Sequence, residues 1–510
     1  MESMPIRRLA TAVAIPTLTF AAALNLAQAP AAKAQPATSQ SWIGTGSDPN
    51  WDSPGNWSTG AAPSGTLSEL AFPDGGATCL NFDCAFSVDD IPGLEIGTLA
   101  IDPGENYLIV PATTSDSLSL SSGIEFDGTT AETNAPLVTN LEVPLALAAP
   151  QTWTLAGVPR TPSQLTVDSV TGTYPLTLSA SSGAVLATAA LNTGPLTVEG
   201  GGTLVVAQPS PGSLTAAAPP PPPIVGSPGV TIERDGSITF SRPGTLSGPI
   251  TVARGSNSTI QVGDGTPPDA TVTVSGGLTL RADTNIDFSL DSAAAPGKKP
   301  QPSTNYSRLT ATGDVNLNSA ALGLSEGFAQ GSDQCASLKG GQTYTVISAY
   351  GAIDGTFAGI ANDQVVPIGD CSWPNTPSTS AALVRYQAKS VTVTVVGGAQ
   401  IKALVAQTLT PTGATIESVR ANRGYTEGFD APAIGTLALT WTETVRRKRV
   451  TVAQATNTAN KVGPRRFAIK LTAAGRKLLS HANQLKLTAG ATFTSVSGNQ
   501  TKASKRITLN

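Results

Sequence analysis

Between residues 42 and 400 the chain is a succession of short runs in which apolar and polar residues alternate, each stopped by Gly, Asn, Asp or Pro. Leu204-Val205-Val206 ends at a Pro/Ser turn. Val230-Thr231-Ile232 and Ser237-Ile238-Thr239-Phe240 are separated by Asp235-Gly236, a strong turn signal. Ile250-Thr251-Val252, Thr259 to Val262, Ala270 to Val274, Leu278 to Leu280 and Ile286 to Leu290 repeat the pattern, with strand starts roughly 8–12 residues apart. Alternation turns one side of each run inward. No helix-period stretch of useful length interrupts them, which excludes parallel α/β folds, whose crossovers need helices. A sandwich or a β-solenoid remains. In a solenoid each coil buries its strands against its neighbours, so small residues suffice. Low aromatic (5%) and charged (13%) contents with 51 glycines fit that.

Residues 1–34 read as a secretory signal. Arg7 and Arg8 supply the positive start, Leu9 to Leu26 the apolar stretch, and Ala27-Gln28-Ala29 and Ala32-Lys33-Ala34 two cleavage motifs. The first would leave Pro30 at the new terminus, so cleavage is expected after Ala34. No other stretch approaches the ~20 apolar residues that span a bilayer. The expectation is a secreted or cell-surface protein with no transmembrane helix in the mature chain. In that compartment four cysteines favour disulfides, by proximity Cys79 with Cys84 and Cys335 with Cys371. His481 is the sole histidine and lies far from them, so no metal site is expected.

Two segments break the strand pattern. Residues 208–228 contain Pro219 to Pro223, which cannot donate to a ladder, and residues 292–304 carry Ala, Pro, Gly and Lys298-Lys299. Both read as loop insertions. At the start of the pattern stand Trp42, Trp51, Asn56 and Trp57. Large aromatics there would cap the open end of a solenoid, with Asn56 satisfying turn backbone, or else form a sugar-stacking platform.

Three segments, taken in order, resemble secreted bacterial surface proteins with the autotransporter-associated β-strand repeat. The first is Trp42…Trp51…Asn56-Trp57 followed by Gly60 and Pro63. The second is Gly194-Pro195-Leu196-Thr197-Val198 with Gly200-Gly201-Gly202-Thr203-Leu204-Val205, its return read from Ser247-Gly248-Pro249-Ile250-Thr251-Val252 to Gln261-Val262-Gly263-Asp264-Gly265. The third runs from Tyr306 through Leu309, Gly313, Val315 and Leu317 to Gly341, Tyr344 to Ile347, Gly351, Ile353 and Gly355-Thr356-Phe357. The resemblance implies a right-handed parallel β-helix over 42–400. The chain departs from that family in its last 110 residues, which lack the alternating segments of a membrane barrel, so self-translocation is not carried over.

Those last residues, 401–510, hold 17 Lys/Arg against 4 Asp/Glu, a net of +13. Residues 1–400 hold the other 14 and 31, a net of −17, and together these give −4. A helix broken at Pro411 and Gly413 is expected over 403–423. Strands follow around Leu437 to Trp441, Val450-Val452, Phe467 to Leu471, Leu485 to Phe493 and Ile507 to Leu509, with a helix Ala473 to Ala482 capped by Thr472. This segment is similar to immunoglobulin-like C-terminal modules of secreted proteins, which implies a small β-sandwich with one or two short helices. Arg446, Arg447, Lys448, Arg449, Arg465, Arg466, Arg476 and Lys477 form a candidate polyanion face, or a solvated surface that keeps the domain soluble. An anionic cell-envelope polymer or extracellular glycan is the expected partner. Nucleic acid is disfavoured, because only Phe467 adjoins the cations and its strand points it inward.

Little in the chain points to chemistry. Asp89-Asp90 is the one adjacent acidic pair in the solenoid, and neighbours on a strand face opposite ways. The sole histidine, His481, lies outside the solenoid, so no solenoid nucleophile has a histidine base beside it in the sequence. The sequence reads as a non-catalytic secreted or cell-surface structural or adhesin-like protein without cofactors. The alternative is an extracellular carbohydrate-binding or polysaccharide-degrading β-helix protein.

Overall fold

The computed structural model describes residues 38–510 other than 74–85, 105, 114, 130–136, 160, 207–223, 254–256, 264–269, 291–305, 328–337, 370–379 and 497. The signal segment with its Ala34 site, the loop 292–304, and Cys79, Cys84, Cys335 and Cys371 lie outside the described residues. Residues 38–510 form one compact unit.

The chain is mostly β, and its larger sheet is parallel and coiled. Val230–Ile232, Ser237–Phe240 and Gly244–Leu246 make one coil. Each pairs in parallel with its counterpart in the next coil, Ile250–Val252, Thr259–Val262 and Thr271–Val274. Three strand-lined faces result. Inward on the first face runs the ladder Leu176, Leu196, Val230, Ile250, Leu278, Val315, Ile353. On the second run Leu186, Leu204, Ile238, Ile260, Ile286, Leu322. These side chains interlock in a single core that extends along the whole coil. Burial of like on like, coil after coil, lets a chain poor in aromatics hold together. Outside the first face the same registers stack Thr152, Thr177, Thr197, Thr231, Thr251 and Thr279, then Asn316 and Asp354.

Coil corners explain the glycines. Strands Leu94–Ile101 and Leu118–Asp127 run through from the third face to the first, bending at Gly97 and Gly123. A Cβ on either would overlap a backbone carbonyl of an adjacent coil, Ser68 of the preceding one for Gly97 and Thr152 of the following one for Gly123. Ser163–Thr171 and Ala184–Asn192 likewise serve both the second and third faces. Above Ala184–Asn192 the path divides into Thr203–Val206 and Ile224–Val225. Residues 208–223 of the expected insertion lie outside the described residues, and its remaining part, to 228, is not all loop: Ile224 pairs with Ala190, and buried Ser227 donates to the carbonyls of Gly194 and Gly229. The return strand is also corrected. Leu196–Glu199 pairs with Val230–Ile232, and Ile250–Val252 belongs one coil further on.

At its far end the solenoid stops on an antiparallel closure. Thr343–Ala349 pairs with Ser390–Val395, that strand with Ala381–Gln387, and the latter with Gln364–Pro367. A covered edge cannot recruit another strand. The helix Gly398–Gln407 follows and straddles the expected boundary at 400. Its Leu404 is buried against Val365 and Ala381 of the closure, whereas Val405 enters the C-terminal core.

That core belongs to a six-stranded antiparallel sheet. Its order is Gly424–Ala431, Gly463–Leu471, Lys448–Ala459, Gly435–Val445, Leu485–Ser495, Gln500–Leu509. The second and third strands share only Ala453–Leu471 and Gln454–Lys470. Tyr425 lies 6.2 Å from Trp441, and Phe429 5.8 Å from Phe493. In a flat sheet those strands would stand roughly 14 Å or more apart. The sheet is therefore folded over, with its first two strands lying across the others. Helices Gly398–Gln407 and Ile416–Ala421 flank the break at Pro411 and Gly413. Thr472 caps Ala473–Leu479, its hydroxyl accepting from the Gly475 N–H at 2.9 Å.

Candidate functional sites

At the start of the solenoid a short 3-10 turn, Pro54–Asn56, folds the chain back so that three indoles converge. Trp42 and Trp51 meet Trp57 edge-on, at 5.2 and 6.0 Å, and all three contact Phe72. The Trp57 indole N–H donates to the Trp51 carbonyl at 2.7 Å. Asn56, 1% exposed, accepts from the Gly46 N–H at 2.7 Å and donates to the carbonyls of Asp48 and Asn50. The indoles are 5%, 0% and 1% exposed. The sugar-platform alternative is thereby corrected: stacking needs a bare ring face, and these rings are spent on one another and on the first coil.

Asp89 ends the strand Phe86–Asp89 with its side chain turned inward and buried. Burial above all pushes its carboxyl up to about 7. The Ile91 N–H partly offsets that, and the charges of Asp116 and Asp90 add to it. Asp90 points the other way and accepts from the Asp52 N–H. The pair is thus divided between interior and surface, and Asp89 cannot touch a polymer. Glu142 and Asp168 sit on one corner of successive coils, beside the paired Leu141 and Val167. Burial raises both carboxyls, and the charge of Asp168 raises Glu142 further. Among the described residues no group of three or more His, Cys, Asp or Glu could hold a metal.

The eight candidate cations of the C-terminal region fall in four places. Arg446 and Arg447 form the tip of a hairpin, both with left-handed backbone (φ 49° and 67°), and Lys448 and Arg449 start its return strand. All four are exposed, with the Arg449 Nε donating to the Thr442 hydroxyl. Arg465 and Arg466 line a groove of 460 Å³ with Phe429 and Asp430. Lys477 lines a more apolar groove of 690 Å³ with Val445, Val450, Leu478 and His481. Arg476 stands in a third groove with Arg423 and Lys470, two cations that sequence reading passed over. Lys470 follows Arg466 by four residues on one strand, an even spacing that puts both on its outer side; Arg423 carried no comparable signal. Among the described residues the ion pairs are Arg234–Glu199 and Arg385–Asp363, and neither lies beyond residue 400. Burial raises the carboxyls of Glu427 and Asp430 above the ordinary carboxylate range.

Among the described residues no helix is long and apolar enough to cross a membrane. No protein-family model matches the chain, and no curated protein or solved structure matches it either.

Proposed function

We propose that this chain is a non-catalytic secreted or cell-surface protein in which a β-helical spacer carries a basic module that holds an anionic envelope polymer or extracellular glycan. The observation that carries the reading is the unneutralised charge after residue 400: 17 cations against 4 acids, with no ion pair there among the described residues. Such a surface attracts polyanions over a Debye length and loses that attraction with salt. The solenoid fits a structural or adhesin-like role, since its first face presents stacked threonines rather than a carboxylate-lined groove. We take it as right-handed, the hand of nearly all parallel crossovers. Three-strand coils turning at glycines are compatible with the autotransporter-associated repeat. Ring contacts across the folded C-terminal sheet are compatible with an immunoglobulin-like module.

The test is titration of the full chain with polygalacturonate and with a neutral glucan over a salt series. Affinity for the polyuronate should fall steadily with salt, and the glucan should not bind. Equal, salt-independent binding of both would overturn the reading.

A polysaccharide-degrading role is favoured by one observation, the stacked Glu142 and Asp168 with raised carboxyls. It requires reducing ends to accumulate when polysaccharide is incubated with the chain, and that release to vanish in Glu142→Gln. Non-catalytic binding requires no release from either protein.

A further inference from the structure

The groove that joins Arg423, Lys470 and Arg476 differs from the other basic places in its construction. Helix Ile416–Ala421 ends at Asn422, and Arg423 takes left-handed backbone (φ 52°) to turn the chain into the strand at Gly424. Gly424 is opposite Lys470, and the Leu471 N–H donates to the Arg423 carbonyl at 3.1 Å. Thr472 then starts the helix that carries Arg476, whose Nη1 returns to the Leu471 carbonyl at 3.1 Å. One residue, Leu471, thus gathers three cations: Lys470 precedes it, Arg423 pairs with it, and the Arg476 guanidinium rests on its carbonyl. None of the three has an ion-pair partner among the described residues. Like charges lining one groove repel, and an anion between them relieves that repulsion. The groove measures 710 Å³, within the range of small-ligand sites. Asn422 and Tyr425 line it with the cations, adding an amide and a ring edge suited to a polyol.

We propose that this groove binds one negatively charged sugar residue, its carboxylate or phosphate held by Arg423, Lys470 and Arg476. The site rests on the anion-binding reading above and deepens it from a diffuse field to a defined seat.

The full chain is titrated calorimetrically with glucuronate, glucose 6-phosphate and glucose, as wild type and as two charge-matched variants. Arg423→Asn with Lys470→Gln empties the groove, and asparagine tolerates the left-handed backbone. Arg446→Asn with Arg447→Gly removes the same charge at the hairpin tip, with residues that suit its turn. At least one charged sugar should bind, glucose should not, and the groove variant should bind about tenfold or more weakly. The hairpin variant should stay within about twofold of wild type, and the stronger of the two charged arms names the anion. Lys470→Gln alone, an exposed position, repeats the test should the double variant melt early. Equal weakening in both variants would overturn the seat and leave the diffuse field. So would glucose binding as well as the charged sugars, or neither charged sugar binding while polygalacturonate does. Failure of polygalacturonate as well would remove both readings.

Discussion

At the scale of the residue, Asn56 does the most with least exposure. Its amide satisfies one N–H and two carbonyls of the turn that brings Trp51 and Trp57 together. Asn56→Ala should therefore cost about 2–3 kcal/mol in urea unfolding, because three backbone groups lose their partner at once. Gly46→Ala should cost a similar amount, since a Cβ there would overlap the Asn56 side chain. This part of the site was legible in sequence only as a choice: aromatics spaced by Gly and Asn at the head of a strand array read as a cap or as a sugar platform, and the burial of the rings separates the two. Asp89 was legible only in part. Alternation separated it from Asp90, but its pKa depends on what packs over it, which sequence does not show. Burial raises it to about 7 from the unfolded 3.8, so the native state holds a proton the unfolded state has released. Stability should accordingly be greatest below about pH 4 in this contribution and decline as pH rises towards 7, by an amount on the order of a few kcal/mol. Asp89→Asn should flatten that decline in a pH series of chemical denaturation. An unchanged slope would mean the carboxyl is solvated.

At the scale of the element, strand existence was written in the alternation, and helix breaks in Pro411 and Gly413. Pairing partners were not. The return strand expected at Ile250–Val252 lies one coil too far on, because Gly/Thr/apolar triplets recur and any of them satisfies the pattern; only stacking register chooses. The end of the proline-rich insertion is hidden for a related reason, since Ile224–Val225 is too short to signal a strand but pairs with Ala190 and Leu191. Corner glycines give the sharpest test of the coil. Gly97→Ala would drive a Cβ into the Ser68 carbonyl, backbone against backbone, and should cost about 3 kcal/mol or more. Gly60→Ala, with left-handed backbone (φ 69°) but open space around it, should cost only about 1–2 kcal/mol. Equal costs would contradict the close stacking of coils at that corner.

At the scale of the whole molecule, the division of charge near residue 400 was plain from counting. The physical boundary is less abrupt. One helix spans it, giving Leu404 to the solenoid's end and Val405 to the C-terminal core. Folding of the six-stranded sheet was likewise hidden, because Tyr425–Trp441 and Phe429–Phe493 join strands that are not neighbours in the sheet. Such contacts leave no local pattern. In the proposed reading the long coil would set distance and the cation-rich module that follows it, with 17 Lys/Arg against 4 Asp/Glu, would provide attachment. The most direct test is cosedimentation of the full chain with isolated cell envelope at low and high salt. The expected result is pelleting at low salt, release at high salt, and weaker pelleting when Arg423, Arg465, Arg466 and Lys470 are replaced by uncharged residues. A chain that stays in the supernatant at low salt, or pellets equally in all conditions and in that variant, would contradict electrostatic attachment.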